Sequence, residues 1–226
     1  MTTLNHRQQL LALLARTSFR LGQFTLASGA TSDYYIDCRT TTLHAEGGRL
    51  TGHAILELLE AHNIQAEAVG GLTMGADPIV SNVATASAQR ALDRSTQSSP
   101  AAPGNNGLIH GFLVRKAEKT HGTARRIEGF CQPGARVVIV DDVCTTGGST
   151  ITAIEAAREA GMVIAAVVCI VERQEANGRP AVESAANGGA PGDRSSSTGW
   201  KGAPFLALFT ANDVRAEKIK QTAPQP

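Results

Sequence analysis

The run from Val137 to Thr150, VVIVDDVCTTGGST, constrains this chain more than any other segment. Its four consecutive β-branched residues, Val137 to Val140, predict a strand buried on both faces. Two carboxylates, Asp141 and Asp142, end the strand, and a loop of small residues follows. A helix is expected from Ser149 to about Ala160, with Gly161 as its stop. Short apolar runs at 66–71, 108–115, 163–173 and 204–210 read as further strands. Helices are expected between them: around Leu10, Leu13 and Leu14; over Gly48 to His62, with Leu50, Ala54, Ile55, Leu58 and Leu59 on one face; and over Pro78 to Ala88. Apolar strands alternating with helices predict an α/β fold, a parallel sheet with helices on both faces.

The loop narrows the chemistry. A strand-to-helix loop of small residues exposes consecutive backbone N–H groups, and the helix N-terminus adds partial positive charge. Together they form an anion cradle of the kind phosphates occupy. Gly147 and Gly148 allow close backbone approach, while Thr145, Thr146 and Ser149 can donate hydroxyls. The chain has no GxxxxGK[ST], so a P-loop is excluded, and no GxGxxG after a strand, so a dinucleotide fold is excluded as well. What remains is an acid pair set directly before a phosphate loop. Side chains alternate along a strand, so Asp141 and Asp142 are expected to face opposite ways and do different jobs. At the strand's edge they could hold the hydroxyls of a sugar whose phosphate lies in the loop.

VVIVDDVCTTGGST resembles the phosphoribosyl-pyrophosphate (PRPP) signature of the type I phosphoribosyltransferases. FTLASGATSDYYIDCR (24–39) and RKAEKTHG (115–122) resemble the substrate-side segment and mobile catalytic loop of the orotate phosphoribosyltransferases. GGLTMGADPI (70–79) and VERQEA (171–176) fall in the expected order. The resemblance covers about residues 19–176, apart from 93–107. It implies a type I phosphoribosyltransferase fold with a small N-terminal hood (1–45) on a core (46–226). The implied activity transfers ribose 5-phosphate from PRPP to orotate, giving orotidine 5′-monophosphate and pyrophosphate, a step of pyrimidine (UMP) synthesis. It also implies Mg²⁺ as cofactor, with no dedicated protein ligands. A homodimer is implied too, its catalytic loop reaching into the neighbouring site.

The same resemblance assigns residues. Lys119, Asp141 and Asp142 are the expected catalytic residues. PRPP is expected to meet Arg115, Lys119 and His121, with Lys116 supplied by the partner chain. The phosphate loop adds Val143, Cys144, Thr145, Thr146, Gly147, Gly148 and Ser149, Cys144 through its backbone. Arg173 ends an apolar strand, where an unpaired guanidinium would be costly to bury. It either pairs with Glu172 or Glu175, or grips a planar carboxylate bidentately, as an arginine fork does well. In the resemblance that carboxylate is orotate's, with Thr145, Tyr34 and Tyr35 as further contacts. Lysines that bind PRPP in some family members are replaced here by Ala27 and Met74.

Composition excludes rival classes. Lys plus Arg is 21 and Asp plus Glu is 20, so no broad basic surface exists for nucleic acid or membrane. Residues 115–126 nonetheless hold five bases and one acid, a concentrated cationic loop suited to a small polyanion. Aromatics at 4 % do not supply a stacking platform for single strands. A PRPP-sensing regulator of the same fold would need an added basic domain, and a phosphoribosyltransferase for a purine would have no use for Arg173 as a carboxylate ligand. Cys38, Cys131, Cys144 and Cys169 form no CxxC pair, which fits a reducing cytoplasm. No signal peptide or membrane span is expected. Residues 93–107 and 183–203, rich in Ser, Gly, Pro and Asn, read as low-complexity surface insertions.

Overall fold

The computed structural model describes residues 5–25, 29, 31–96, 107–116, 126–188 and 202–223. The chain opens with α1 (His6–Thr17), started by a capping box: Asn5 accepts from the Gln8 N–H and Gln8 accepts from the Asn5 N–H. β1 (Phe19–Thr25) and β2 (Thr31–Ile36) form a separate antiparallel pair. Next come α2 (Arg39–Thr42), α3 (Ala45–Ala61), β3 (Ala68–Leu72), α4 (Asp77–Thr96), β4 (His110–Val114) and β5 (Ile127–Gly129). The second half runs β6 (Arg136–Cys144), α5 (Gly148–Glu159), β7 (Val163–Glu172), α6 (Arg179–Asn187), β8 (Phe205–Thr210) and α7 (Ala211–Thr222).

The main sheet has the order β5-β4-β3-β6-β7-β8. β4, β3, β6, β7 and β8 are parallel, and only the edge strand β5 runs antiparallel. The apolar run in β6 is explained by its two neighbours. Val138 and Val140 pack with Leu50, Ile55, Ile79 and Val83 of α3 and α4. Val137 and Ile139 face the other way, against Ala153 and Ile154 of α5 and Val182 of α6. Helices therefore cover both faces, and a strand with no polar face is the result. Burying a side chain such as Ile139 or Ile154 contributes about 1.5–3 kcal/mol relative to exposure. The α/β fold with helices on both faces is what the chain adopts.

The expected strands fall on β3, β4, β6, β7 and β8. The helix expected over Pro78–Ala88 extends through Thr96, into the segment read from composition as an insertion. α6 likewise carries residues 183–187, with Val182 and Ala186 buried one turn apart. The α6 end is helical because Val182 and Ala186 find cover, whereas Asp93 to Ser95 are exposed and continue a helix already begun. Residues 97–106 and 189–201 lie outside the described residues. β5 escaped because three residues carry no period. α7 escaped despite its signal, a Thr210–Asp213 capping box.

The first helix meets the last strand and helix. Arg7 donates to the Leu208 carbonyl at 2.6 Å, and Gln221 donates to that of Ala12 at 2.9 Å. Arg215 of α7 pairs with Asp33 of β2 at 2.6 Å, tying the hairpin to the core. Among the described residues no helix is long and apolar enough to cross a membrane. All four cysteines are free thiols.

Candidate active site

From β3 the chain moves one way to β4 and later returns to β6 on the other side, so the strand order reverses between β3 and β6. Open α/β sheets bind ligands outside the carboxyl ends of their strands at such a switch point. A cavity of about 360 Å³ lies there. Four strands end on it: β3 through Leu72 to Gly75, β4 through Lys116, β6 through Asp141, Asp142 and Val143, and β7 through Arg173. Thr145 and Ser149 of the phosphate loop close one side, and Tyr35 to Asp37 with Arg39 close the other.

The acid pair divides as strand alternation requires. Asp141 follows Val137 and Ile139 toward α5 and accepts the Thr150 hydroxyl at 2.6 Å. Burial pushes its carboxyl from the ordinary 3.8 up to about 7, against the lowering effect of the Thr150 bond. Asp142 turns toward the β3 end, where a Cβ on Gly75 would sit 2.6 Å from its Oδ1. Only a glycine at 75 leaves room for that carboxylate. The raised Asp141 value has a checkable consequence. Between about pH 4 and 7 the folded chain keeps a proton that the unfolded chain has lost, so this group makes stability fall as pH rises. Asp141→Asn should remove that slope, gaining on the parent by a few kcal/mol between those limits in thermal or urea unfolding.

The phosphate loop is shaped by two glycines. Gly147 is the N-cap of α5 with φ +84°, a left-handed conformation, and a Cβ there would meet Val182 Cγ2 at 2.4 Å. Gly178 lies beyond the motif, yet a Cβ on it would fall 2.1 Å from the Thr145 carbonyl oxygen. Thr145, Thr146, Gly148 and Ser149 are exposed at the loop. Cys144 is buried in the α5 side of the core, and burial pushes its thiol up to about 11. It serves through its backbone: its carbonyl accepts the Arg173 N–H at 2.9 Å.

Arg173 is 9 % exposed. It lines the cavity and also pairs with Glu175, Nε to Oε1 at 2.9 Å. Glu172 pairs instead with Arg179, at 2.5 Å. Of the two tyrosines only Tyr35 lines the cavity. The Tyr34 ring stacks on Phe19 at 5.1 Å and lies 4.6 Å from the Arg173 guanidinium carbon. Burial, then the hydrogen bond to Glu175, pushes its hydroxyl up to about 12.

The cationic loop is described only at its start. Lys116, expected from a partner chain, lines the cavity of its own chain, because β4 ends beside β3 on the same sheet edge. Arg115 is not part of that wall and stands 3.5 Å from Glu128. Lys119 and His121 lie outside the described residues, as does Ala27. Met74 lines the cavity and is 69 % exposed, with no charge to offer. Sequence reasoning passed over Asp37 and Arg39, which face the cavity as a bidentate pair with both N···O distances 2.9 Å. Their signal was the D-x-R spacing inside a segment already singled out.

Similar proteins bear on the reading. Residues 118–185 match the model of the phosphoribosyl transferase domain. An orotate phosphoribosyltransferase of Thermosynechococcus vestitus is 40 % identical over 211 residues, 93 % of this chain and 93 % of that protein. The crystal structure of Mycobacterium tuberculosis orotate phosphoribosyltransferase with Fe(III) dicitrate superposes with a TM-score of 0.67 at 30 % identity, covering 92 % of this chain and 98 % of that one. The same enzyme in complex with PRPP gives 0.64 at 28 %, covering 93 % and 99 %. With a cavity at the switch point, an acid pair above a phosphate loop and relatives of this identity along nearly its full length, the chain belongs to the orotate phosphoribosyltransferases.

Proposed function

We propose that this chain transfers ribose 5-phosphate from PRPP to orotate, as a cytoplasmic homodimer. The observation that carries the reading is one cavity wall holding the phosphate loop, the acid pair and Arg173 together. The 5′-phosphate takes the N–H groups and hydroxyls of the loop from Val143 to Ser149, at the positive end of α5. Asp141 and Asp142 accept from the ribose hydroxyls. Arg173 holds the orotate carboxylate, with Thr145 and Tyr35 beside it. The C1–O bond to pyrophosphate breaks with its electron pair going to the pyrophosphate oxygen, N1 of orotate forms the new bond to C1, and the N1 proton passes to the departing pyrophosphate.

Lys116 faces the departing pyrophosphate, and Arg115, Lys119 and His121 complete its ligands when the 115–122 loop closes in the dimer. Cations brought over a leaving group act most strongly once water is excluded. The residues present fit Mg²⁺ arriving on the substrate, since Asp142 puts a hard carboxylate on the wall. Bound there, Mg²⁺ supplies charge neutralisation to the pyrophosphate. Purified protein should consume orotate only when PRPP and Mg²⁺ are both present, releasing pyrophosphate and orotidine 5′-monophosphate in equal amounts. A protein that leaves orotate untouched under those conditions, whatever it binds, overturns the reading.

A further inference from the structure

We propose that Glu175 is a positioning residue, which holds the Arg173 guanidinium by one edge so that the other edge meets the substrate carboxylate end-on. The proposal rests on the reading of Arg173 as the carboxylate's partner. A guanidinium offers five N–H donors in a fixed plane. Here Nε donates to Glu175 Oε1 at 2.9 Å, and Nη2 donates to Ser32 Oγ at 3.3 Å. Three donors remain, both of Nη1 and one of Nη2, and among the described residues no partner to Nη1 is present. One N–H from each of two adjacent nitrogens is what a bidentate carboxylate takes. The Tyr34 ring, 4.6 Å from the guanidinium carbon, holds the plane from a face.

Glu175 itself does not line the cavity, so it acts through Arg173 and not on the substrate. It has a second tether: the Tyr34 hydroxyl donates to the same Oε1 that accepts Arg173 Nε. Although burial raises it, these two donors hold the Glu175 carboxyl below its ordinary value, so it stays an acceptor. Its backbone is fixed by a 3-10 turn, Gln174–Ala176, directly after β7. That turn leads through Asn177 to Gly178, the residue in contact with the Thr145 carbonyl. One short segment thus connects the carboxylate grip to the phosphate loop. The pair of Arg173 and Glu175 is close to neutral, so Glu175 adds no attraction for an anion. What it contributes is direction, which sets specificity for a planar acid over a base without one.

The test is steady-state kinetics on E175A, E175Q, R173A and the double variant R173A/E175A, varying each substrate in turn. Losing one charge-assisted orienting bond, E175A should raise the orotate KM about tenfold. Its PRPP KM should stay within about twofold, since the phosphate loop is not touched. Glutamine keeps an oxygen for both donors, so E175Q should restore the orotate KM to within about threefold of the parent. Because Glu175 acts through Arg173, the double variant should match R173A alone. The positioning role is overturned, and the Arg173 reading left standing, if R173A raises the orotate KM while E175A does not, or if the two effects add. It is equally overturned if E175A lowers activity and Tm without a selective orotate effect and E175Q fails to rescue. An R173A protein with unchanged orotate KM sinks both readings together.

Discussion

Arg173→Ala is expected to raise the orotate KM by about a hundredfold, the range for truncating one partner of a largely buried charge pair. The side chain is 9 % exposed at the cavity, where water screens its charge poorly. A carboxylate bound there exchanges two charge-assisted bonds for none. Alanine also strands neighbours: Glu175 loses its Nε donor, and the Tyr34 ring loses one of two guanidinium groups over it, keeping that of Arg215. The PRPP KM should move little, because the loop from Thr145 to Ser149 is built by β6 and α5 and not by this side chain. Kinetics with each substrate varied separately gives the answer. An unmoved orotate KM would reduce Arg173 to the ion partner of Glu175.

Gly178→Ala should cut kcat/KM for PRPP by about a hundredfold, although the residue touches no substrate. Gly178 has ordinary helical angles, φ −78° and ψ −22°, so alanine meets no backbone strain there. The cost is steric: its Cβ would lie 2.1 Å from the Thr145 carbonyl oxygen, 2.7 Å from the Thr146 carbonyl carbon and 3.0 Å from the Gly147 nitrogen. All three are backbone atoms of the phosphate loop, and none can swing away as a side chain would. The loop must shift by roughly an ångström, and a misplacement of that size costs about a hundredfold in a positioned reaction. Measuring Tm alongside kcat/KM separates loop displacement from loss of the fold. Parent-like kinetics would mean that the loop is free to yield at this point.

The two predictions differ in how visible they were. Arg173 was legible because a guanidinium at the end of an apolar strand requires an explanation. Gly178 was not, since nothing in NGRP marks it as a neighbour of Thr145. The same contrast runs through the fold. β6 and β7 announced themselves by unbroken apolar runs, and α5 by the loop of small residues before it and the Gly161 stop after it. β5 and α6 stayed hidden, being a three-residue edge and a nine-residue helix with only Val182 and Ala186 buried, whose reason to exist is the core they cover. That Tyr34 and not Tyr35 turns from the cavity wall was not legible, because strand alternation is relative and no local signal says which of two adjacent tyrosines faces away. Its partner Phe19 decided it, fifteen residues earlier in the chain.

What the sequence determined alone was everything with a local cause. Period and β-branching dictate the strands, and small residues after β6 dictate a tight strand-to-helix loop that exposes backbone N–H groups. The tertiary structure decided what depends on distant residues arriving together. Burial against α5 raises Asp141, Gly75 makes room for Asp142, and Glu175 with Tyr34 aims Arg173. Each of these is set by a desolvation, a clash or a shared acceptor between packed elements, and such energies exist only after the sheet has brought its strand ends to one edge.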